Sequence, residues 1–324
     1  MIQHGTVGDW RLADDDAFLA SFRLPTAEEK NDKLKAQNPI PRDDRISFIE
    51  ATHTYLVDGL VFEKSVTQVI HQFTHDFDAP SAIQAMKQRD WETKQQLFLR
   101  DDGEVMSDAE IAAMWRKNGE VSRARGTLMH YQIEQWLNGC ELEAPRSPEI
   151  EQFLVLQEAA QIQPFRTELS IFHSVLKIAG QIDCLAKDEH GDITIWDWKR
   201  AKEIRMDGFR QMRYPLHHLA DSNFWHYALQ LNLYKYPAQI SQFYFPSGGC
   251  PRMLPECLPI AHRLFEDTRF ATIILRYMLE NEYELKVSHL RLGVLHPLTP
   301  GPVCVEIPRM EAEIALIVAY ELAS

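Results

Sequence analysis

The residues most suited to chemistry lie in one segment, GQIDCLAKDEHGDITIWDWK, at positions 180–199. If its turn is centred on His190, Asp183 and Asp197 face each other, because each lies seven positions from the centre. Side chains alternate along a strand, so the two carboxylates share one face and Lys199 points the same way. Like charges that face each other across a sheet repel. The pattern therefore predicts a divalent cation between them, and oxygen ligands favour Mg²⁺ or Mn²⁺.

A metal ion at this position would support phosphodiester hydrolysis. It would polarise a phosphate oxygen and lower the pKa of a bound water. Lys199 would orient that water or stabilise the negative charge that develops on phosphorus. An isolated D-x-K sequence is more often a solvated pair at a polar hairpin tip, so the interpretation depends on the neighbouring segments.

A histidine and a glutamate outside this segment are candidates to complete the site. His130 lies in RGTLMHYQIEQW, whose apolar residues have helical spacing, and Glu134 follows one turn later on the same face. We interpret His130 as a third ligand, with a packed core residue as the alternative. Glu168, in the first predicted strand, would add a carboxylate, with a surface role as the alternative.

Groups that would bind the substrate follow the hairpin. Gln230 and Tyr234 are four residues apart in the helical segment YALQLNLYKY, so both can donate hydrogen bonds to one phosphate. The alternative is that Tyr234 simply packs.

A basic strip comes directly after the D-x-K sequence. It contains Lys199, Arg200, Lys202, Arg205, Arg210 and Arg213, against Glu203 and Asp207. Trp196, Trp198 and Phe209 are candidate stacking platforms beside it. We predict that the strip, through Arg200 and Lys202, holds a nucleic-acid strand near the reaction centre, with a solvated surface as the alternative.

The composition narrows the class of protein. The 324 residues are 45% hydrophobic and 25% charged, which is typical of a globular chain and excludes collagen and coiled-coil arrays. The net charge of −13 excludes a generally basic surface, so a nucleic-acid site must be local. The longest apolar run, residues 314–320, is too short to span a membrane, and the N-terminus has no signal-peptide pattern. We therefore expect an intracellular, soluble protein, with nucleus, cytoplasm and mitochondrion left open.

The cysteines are five in number and form no C-x-x-C pair: Cys140, Cys184, Cys250, Cys257 and Cys304. This spacing argues against a disulfide framework and against a closed zinc site. An iron-sulfur cluster that draws four of them from distant loops is the less favoured alternative to reduced thiols.

Patterning along the chain predicts three parts. Residues 1–45 are charged and poorly periodic, which indicates a loosely ordered arm. Residues 46–120 form a hairpin and helical extension, with a turn at Asp58-Gly59, a helix cap at Ser65 and a capping box from Ser107 to Glu110. Residues 121–324 form the core. Its predicted elements are helices at 127–137, 149–161, 223–236 and 310–322, and strands at 165–172, 176–187, 193–199, 290–295 and 303–307.

These residues together resemble the PD-(D/E)XK nuclease superfamily, and in particular its RecB-like exonuclease branch, which includes the mitochondrial genome maintenance exonuclease. Five motifs occur in the order of that family. They are G-T-x-x-H at 126–130, the glutamate Glu168, G-x-x-D at 180–183, D-W-K at 197–199 and Q-x-x-x-Y at 230–234. The resemblance covers about residues 120–236 and leaves the region before residue 120 unexplained.

The resemblance implies an α/β fold with a restriction-endonuclease-like αβββαβ core, a mixed sheet and an N-terminal helical and hairpin extension. The implied ligands of Mg²⁺ or Mn²⁺ are His130, Asp183, Asp197 and the carbonyl of Trp198. Lys199 is then catalytic, with Glu168 as a further catalytic carboxylate, and Gln230 and Tyr234 contact the substrate. Several relatives guard the site with a four-cysteine iron-sulfur cluster, but its spacing is missing here, so none is expected.

The function implied by similarity is a metal-dependent DNA exonuclease that acts on single strands or DNA ends, as in DNA repair. Two alternatives stay open: a catalytically inactive nuclease fold that binds nucleic acid, and a nuclease that acts on RNA.

One departure from the family pattern follows the Q-x-x-x-Y helix. Pro237 is expected to break the helix, whereas the sequence from Arg276 resembles the natural continuation of Lys235. We interpret residues 236–275 either as an insertion or as an artefact of gene prediction, such as a retained intron.

Overall fold

The computed structural model describes residues 15–23, 32–49, 52–142, 146–174, 176–239, 285 and 287–323. Of the segment interpreted as an insertion, residues 240–275 lie outside the described residues. Two of the five cysteines, Cys250 and Cys257, also lie outside them, and Cys140, Cys184 and Cys304 are free thiols. Within the described part of the chain, no helix is long and apolar enough to cross a bilayer.

A mixed sheet of six strands forms the centre of the fold. The strands are β4 (Lys64–Ser65), β5 (Pro164–His173), β6 (Ile178–Lys187), β7 (Ile193–Arg200), β8 (Val287–Leu295) and β9 (Val303–Glu306). Their hydrogen-bonded order is β4-β6-β7-β8-β9. Strands β4 and β7 pair with opposite ends of one edge of β6, and β5 pairs with its other edge. The chain runs antiparallel through β5, β6 and β7, and β7 then pairs in parallel with β8. The α/β class and the mixed sheet predicted from the sequence are confirmed.

A separate three-stranded sheet precedes this core. It comprises β1 (Ile46–Ile49), β2 (Thr54–Val57) and β3 (Leu60–Phe62), paired antiparallel in chain order. The tight turn between β2 and β3 has positive φ angles at Asp58 (50°) and Gly59 (79°), as a type I′ turn requires. The hairpin signal in the sequence is thus confirmed.

The helices cover both faces of the sheet. They are α1 (Asp15–Ser21), α2 (Lys33–Gln37), α3 (Val66–His71), α4 (Ala79–Arg89), α5 (Trp91–Lys94), α6 (Asp108–Leu137), α7 (Pro148–Ala159), α8 (Asn223–Gln239) and α9 (Glu311–Ala323). The predicted capping boxes are present at Ser65 of α3 and at Ser107 of α6. Helix α8 continues through Pro237, so the predicted break there is wrong. Pro237 is the third residue from the end of α8, so the backbone hydrogen bond that a proline cannot donate is lost only in the last turn.

Helix α6 is one element of 30 residues that runs through Gly126, whereas the sequence predicts a helix that starts only at residue 127. A glycine inside a helix costs only about 1 kcal/mol relative to alanine. The second half of α6 buries Met129 and Ile133 almost completely, at 1% and 0% exposure, and this packing outweighs the cost. The continuous helix joins the extension to the core.

Strand β7 is buried on both sides. Ile193 and Ile195 belong to the apolar cluster under α8, whereas Trp196 and Trp198 lie on the opposite face with Phe153 of α7. Both tryptophans are only 1% exposed and stack on each other with centroids 5.4 Å apart. They are core residues, so their interpretation as platforms for nucleic-acid bases is wrong.

Part of the predicted arm is packed against the core. Leu34 of α2 is buried, and its N–H donates to Asn138 Oδ1 at 2.9 Å. Asp43 accepts two hydrogen bonds from the Arg166 guanidinium of β5, at 2.8 and 3.0 Å. Specific contacts thus attach residues 32–45 to the core, whereas the sequence predicts that they belong to a loosely ordered arm.

Candidate active site

The site lies where β6 and β7 part. Their last pair is Cys184↔Trp196, and the same register places Asp183 opposite Asp197, as the hairpin arithmetic predicts. Beyond this point, β8 is the only strand of the described residues that pairs with β7. The Trp198 N–H, freed from β6, donates instead to Asp183 Oδ2 at 2.7 Å. This bond fixes one aspartate in the opening between the strands.

Asp197 and Lys199 form a buried ion pair beside it. Lys199 Nζ lies 2.7 Å from Asp197 Oδ2, and the Asp197 side chain is 1% exposed. The ammonium also lies 5.0 Å from the centroid of the Tyr227 ring on α8, a favourable cation–π distance. Among the described residues, Asp197 Oδ1 has no hydrogen-bond partner.

Tyr227 was missed as a site residue in the sequence. It precedes Gln230 by three residues, so it lies on the same face of α8, and this spacing was the signal that could have identified it.

His130 reaches the opening from α6. Its Nδ1 lies 3.4 Å from Asp183 Oδ2. His130, Glu168 and Asp183 each offer one ligand atom, and these three atoms lie within 4.8 Å of one another. Asp197 is not a member of this group of three, although its charge acts on both His130 and Asp183.

Glu168 is turned into the group by an unusual backbone conformation. It sits between the pairs Thr167↔Cys184 and Leu169↔Ile182, opposite Asp183, and its φ is 46°. A positive φ at a residue that is neither glycine, asparagine nor aspartate costs about 1–3 kcal/mol and persists only where the surroundings impose it. Gln181 Nε2 donates to the Glu168 carbonyl at 3.2 Å and supports the turn.

The electrostatics of the opening disfavour its negative charge. Burial raises the pKa of Asp183 to about 6, although Lys199 and the Trp198 N–H oppose the shift. Burial also raises the pKa of Asp197 to about 6, with Lys199 opposing and Asp183 reinforcing. Burial and the Lys199 charge lower the pKa of His130 to about 4, so the imidazole is neutral at pH 7 and able to bind a metal.

The donor set fits a hard divalent cation. Two carboxylates and a neutral imidazole converge within 4.8 Å, and a buried carboxylate oxygen of Asp197 lacks a partner next to them. Carboxylate oxygens with one imidazole suit Mg²⁺ or Mn²⁺. A cation here would neutralise the charge that Lys199 alone does not balance.

Gln230 and Tyr234 lie on the wall of the same cleft, which has a volume of about 400 Å³. Gln230 Nε2 donates to Tyr234 Oη at 2.8 Å, and burial raises the pKa of the tyrosine well above its usual value. A Cβ at Gly180 would lie only 2.7 Å from Tyr234 Cε1, which is too close for two carbon atoms. The first position of the G-x-x-D motif is therefore a glycine because a side chain there would clash with the tyrosine ring.

The two basic residues predicted to bind substrate lie elsewhere. Arg200 Nε pairs with Glu149 Oε1 at 2.6 Å, and both side chains are nearly buried. Lys202 is exposed and, like Arg200, lines a second cavity on the other side of β7. Phe209 remains a candidate stacking residue, since it is 83% exposed.

Comparison with known families identifies a match over more than half of the chain. The family model described as the PD-(D/E)XK nuclease superfamily matches residues 71–255. The match starts well before residue 120, where the sequence resemblance was expected to begin, and so includes α4, α5 and all of α6. The curated proteins contain no match to the chain.

Proposed function

The chain belongs to the PD-(D/E)XK nuclease superfamily, and we propose that it is a divalent-metal-dependent exonuclease that hydrolyses DNA, as in the RecB-like branch. The observation that carries this proposal is the convergence of His130, Glu168 and Asp183 beside the Asp197–Lys199 pair. Buried like charges of this kind are destabilising without a cation, and a metal ion together with an adjacent lysine suits phosphodiester hydrolysis.

Each residue has a defined role in this proposal. His130, Glu168 and Asp183 hold the metal ion, with Asp197 Oδ1 and the Trp198 carbonyl as further donors. When bound, the metal ion would polarise a phosphate oxygen and lower the pKa of a coordinated water. Lys199, positioned by Asp197 and Tyr227, orients the attacking water and stabilises negative charge on phosphorus. Gln230 and Tyr234 donate hydrogen bonds to the phosphate and add no charge.

The test is digestion of an end-labelled single DNA strand by the purified full chain with Mg²⁺ or Mn²⁺. We expect cleavage that stops in a chelator and falls at least about a thousandfold in the variant Asp197→Asn. Arg291→Ala, which removes a cation from the β8–β9 edge, is the control and should cleave normally. Full activity in Asp197→Asn would refute the proposed site.

Substrate variants of the same assay separate the finer alternatives. A circular single strand should resist an exonuclease and be cut by an endonuclease. An RNA strand of the same sequence tests the ribonuclease alternative. If the wild-type chain binds DNA without metal and cleaves none of these substrates, the inactive nucleic-acid-binding alternative replaces our proposal.

A further inference from the structure

A second cavity, of about 330 Å³, lies beside the N-terminal half of α6. Its walls also include Leu97 and Phe98, Arg200 at the end of β7, Lys202 just beyond it, and residues 296–298 after β8. We call it the α6 cavity. Asp183, Asp197 and Lys199 do not line it.

The lining of the α6 cavity combines cations with an aromatic wall. Arg125, Arg200 and Lys202 supply positive charge, and Phe98 and Trp115 supply rings 6.3 Å apart. Glu149 neutralises Arg200 and Asp15 pairs with Arg125, so a ligand would meet Lys202 directly and would reach Arg125 by displacing Asp15. The Arg125 Nε atom is buried and has no hydrogen-bond partner among the described residues. In a chain of net charge −13, a cavity with these groups favours a ligand that has both a negative charge and an aromatic ring.

The α6 cavity and the cleft are lined by residues of the same face of α6. Trp115, Asn118, Ser122, Gly126 and His130 follow at intervals of three or four residues and therefore form one stripe along α6. The first three line the α6 cavity and the last two line the cleft. Ser122 and His130 are separated by about 12 Å along the helix axis, which a single strand spans in a few nucleotides.

We infer that the α6 cavity binds one nucleotide of the strand whose phosphodiester occupies the cleft, with the base against Trp115 and a phosphate on Arg125 and Lys202. This inference rests on the proposed function, because it assigns a second contact to the same substrate. Aromatic rings and cations bind single strands in this way without reading their sequence.

Helix α1 already places a carboxylate on one of these cations, and a second α1 carboxylate pairs with a lysine outside the cavity. Asp15 Oδ1 accepts from Arg125 Nη2 at 2.9 Å, and Asp16 accepts from Lys117 Nζ at 2.6 Å. Phe18 lies under the Arg125 guanidinium at 4.3 Å. Asp15 thus occupies the position on Arg125 that we assign to a phosphate, so an incoming strand must displace it.

The experiment measures binding of a fluorescein-labelled single DNA strand to the full chain by anisotropy, at fixed salt and in a chelator. We expect Lys202→Glu to weaken binding at least about tenfold and Trp115→Ala at least about fivefold. Asp15→Asn should tighten binding, because it removes the competing carboxylate. Arg291→Ala is the control for loss of a cation and should bind as the wild type does.

The variants are chosen so that a loss of binding is not caused by misfolding. Lys202 is exposed, so Lys202→Glu leaves the core intact. Trp115→Phe keeps an aromatic platform and should restore binding to within about twofold of wild type. Wild-type affinity in both Lys202→Glu and Trp115→Ala would overturn the inference.

The two proposals fail in different ways. If the wild type does not cleave DNA but the α6 cavity variants still lose affinity, the nuclease proposal falls and the cavity stands. If the wild type cleaves DNA and the variants bind normally, the cavity inference alone falls.

Discussion

Buried carboxylates are balanced in opposite ways in two regions of the molecule. Asp43 faces one guanidinium, that of Arg166, in a bidentate pair. Burial raises the pKa of Asp43, but the bonds from Arg166 and the Ile40 N–H outweigh it and leave the pKa below its usual value. In the cleft, Lys199 faces both Asp197 and Asp183, and their pKa values rise to about 6.

The difference separates a structural contact from a site that is completed by a ligand. The Asp43 pair has equal charges and joins residues 32–45 to β5. The cleft instead has excess negative charge, a carboxylate oxygen without a partner and a strained backbone at Glu168. Each of these features costs stability, and together they are typical of functional sites. Removal of a carboxylate charge should therefore reduce cleavage but not stability in the cleft, and reduce stability but not cleavage at the Asp43 pair.

The largest effect is expected from Glu168→Gln in the cleft. The substitution keeps the size of the side chain but removes a charge from the three-residue group, so we expect DNA cleavage to fall about a thousandfold, or about 4 kcal/mol in the barrier. The free energy of unfolding in a chelator should stay the same or rise, because a repulsive charge is gone. Cleavage rate and urea unfolding check the two parts. Loss of stability without loss of rate would place Glu168 with the structural carboxylates.

Asp43→Asn should show the reverse behaviour. Removing one partner of a buried pair leaves the Arg166 charge uncompensated, and we expect a loss of about 3 kcal/mol in the free energy of unfolding, with normal cleavage by the folded protein. Urea unfolding measures the loss. The control is Asp58→Asn, which breaks the exposed pair with Arg45 and should leave the free energy of unfolding nearly unchanged.

The pH dependence of this difference has a defined sign. The pKa of Asp43 is lowered in the folded protein, so its contribution is present above the unfolded value of 3.8 and is lost as the pH falls through the folded value. The stability gap between wild type and Asp43→Asn should therefore be constant near neutrality and shrink below about pH 4. A gap that grows on acidification would contradict the assignment.

Strand alternation and turn position were enough to predict the centre of the site. The turn centred on His190 fixed the register, because a hairpin leaves no freedom once its turn is set. The same alternation puts Trp196 and Trp198 on the face opposite Lys199, so their interpretation as stacking platforms beside the reaction centre was avoidable. The positive φ of Glu168 could not be predicted, because it depends on packing around β5 and not on the residue itself.

Local sequence signals could not predict the length of α6 either. A glycine in the middle of a helical pattern is compatible with either a break or a continuous helix, and the burial of Met129 and Ile133 decides between them. The α6 cavity was missed for the same reason, since it requires the N-terminal half of α6 to lie in line with His130.

Metal binding provides a fourth test of the contrast. A cation that binds only the folded protein should raise the free energy of unfolding by about 2.7 kcal/mol at one hundred times its Kd. We expect Mn²⁺ to stabilise the wild type and Asp43→Asn by equal amounts and to have no effect on Glu168→Gln. Thermal unfolding with and without Mn²⁺ measures this. Equal stabilisation of all three proteins would show that the ion binds outside the cleft.

The smallest effect extends the contrast to two glycines of α6. Within the part of the chain that the structure describes, a Cβ would meet nothing within 4 Å at Gly126, and at Gly119 only Arg123 Nη1, at an ordinary 3.6 Å. Alanine at either position should therefore stabilise the helix by about 0.5–1 kcal/mol. Gly126 lines the cleft, whereas Gly119 lines neither cavity. We expect urea unfolding to show similar gains for Gly126→Ala and Gly119→Ala, and cleavage to slow only for Gly126→Ala, because its methyl group would narrow the path of the strand. Equal cleavage by both variants would mean that the strand does not pass along this stripe of α6.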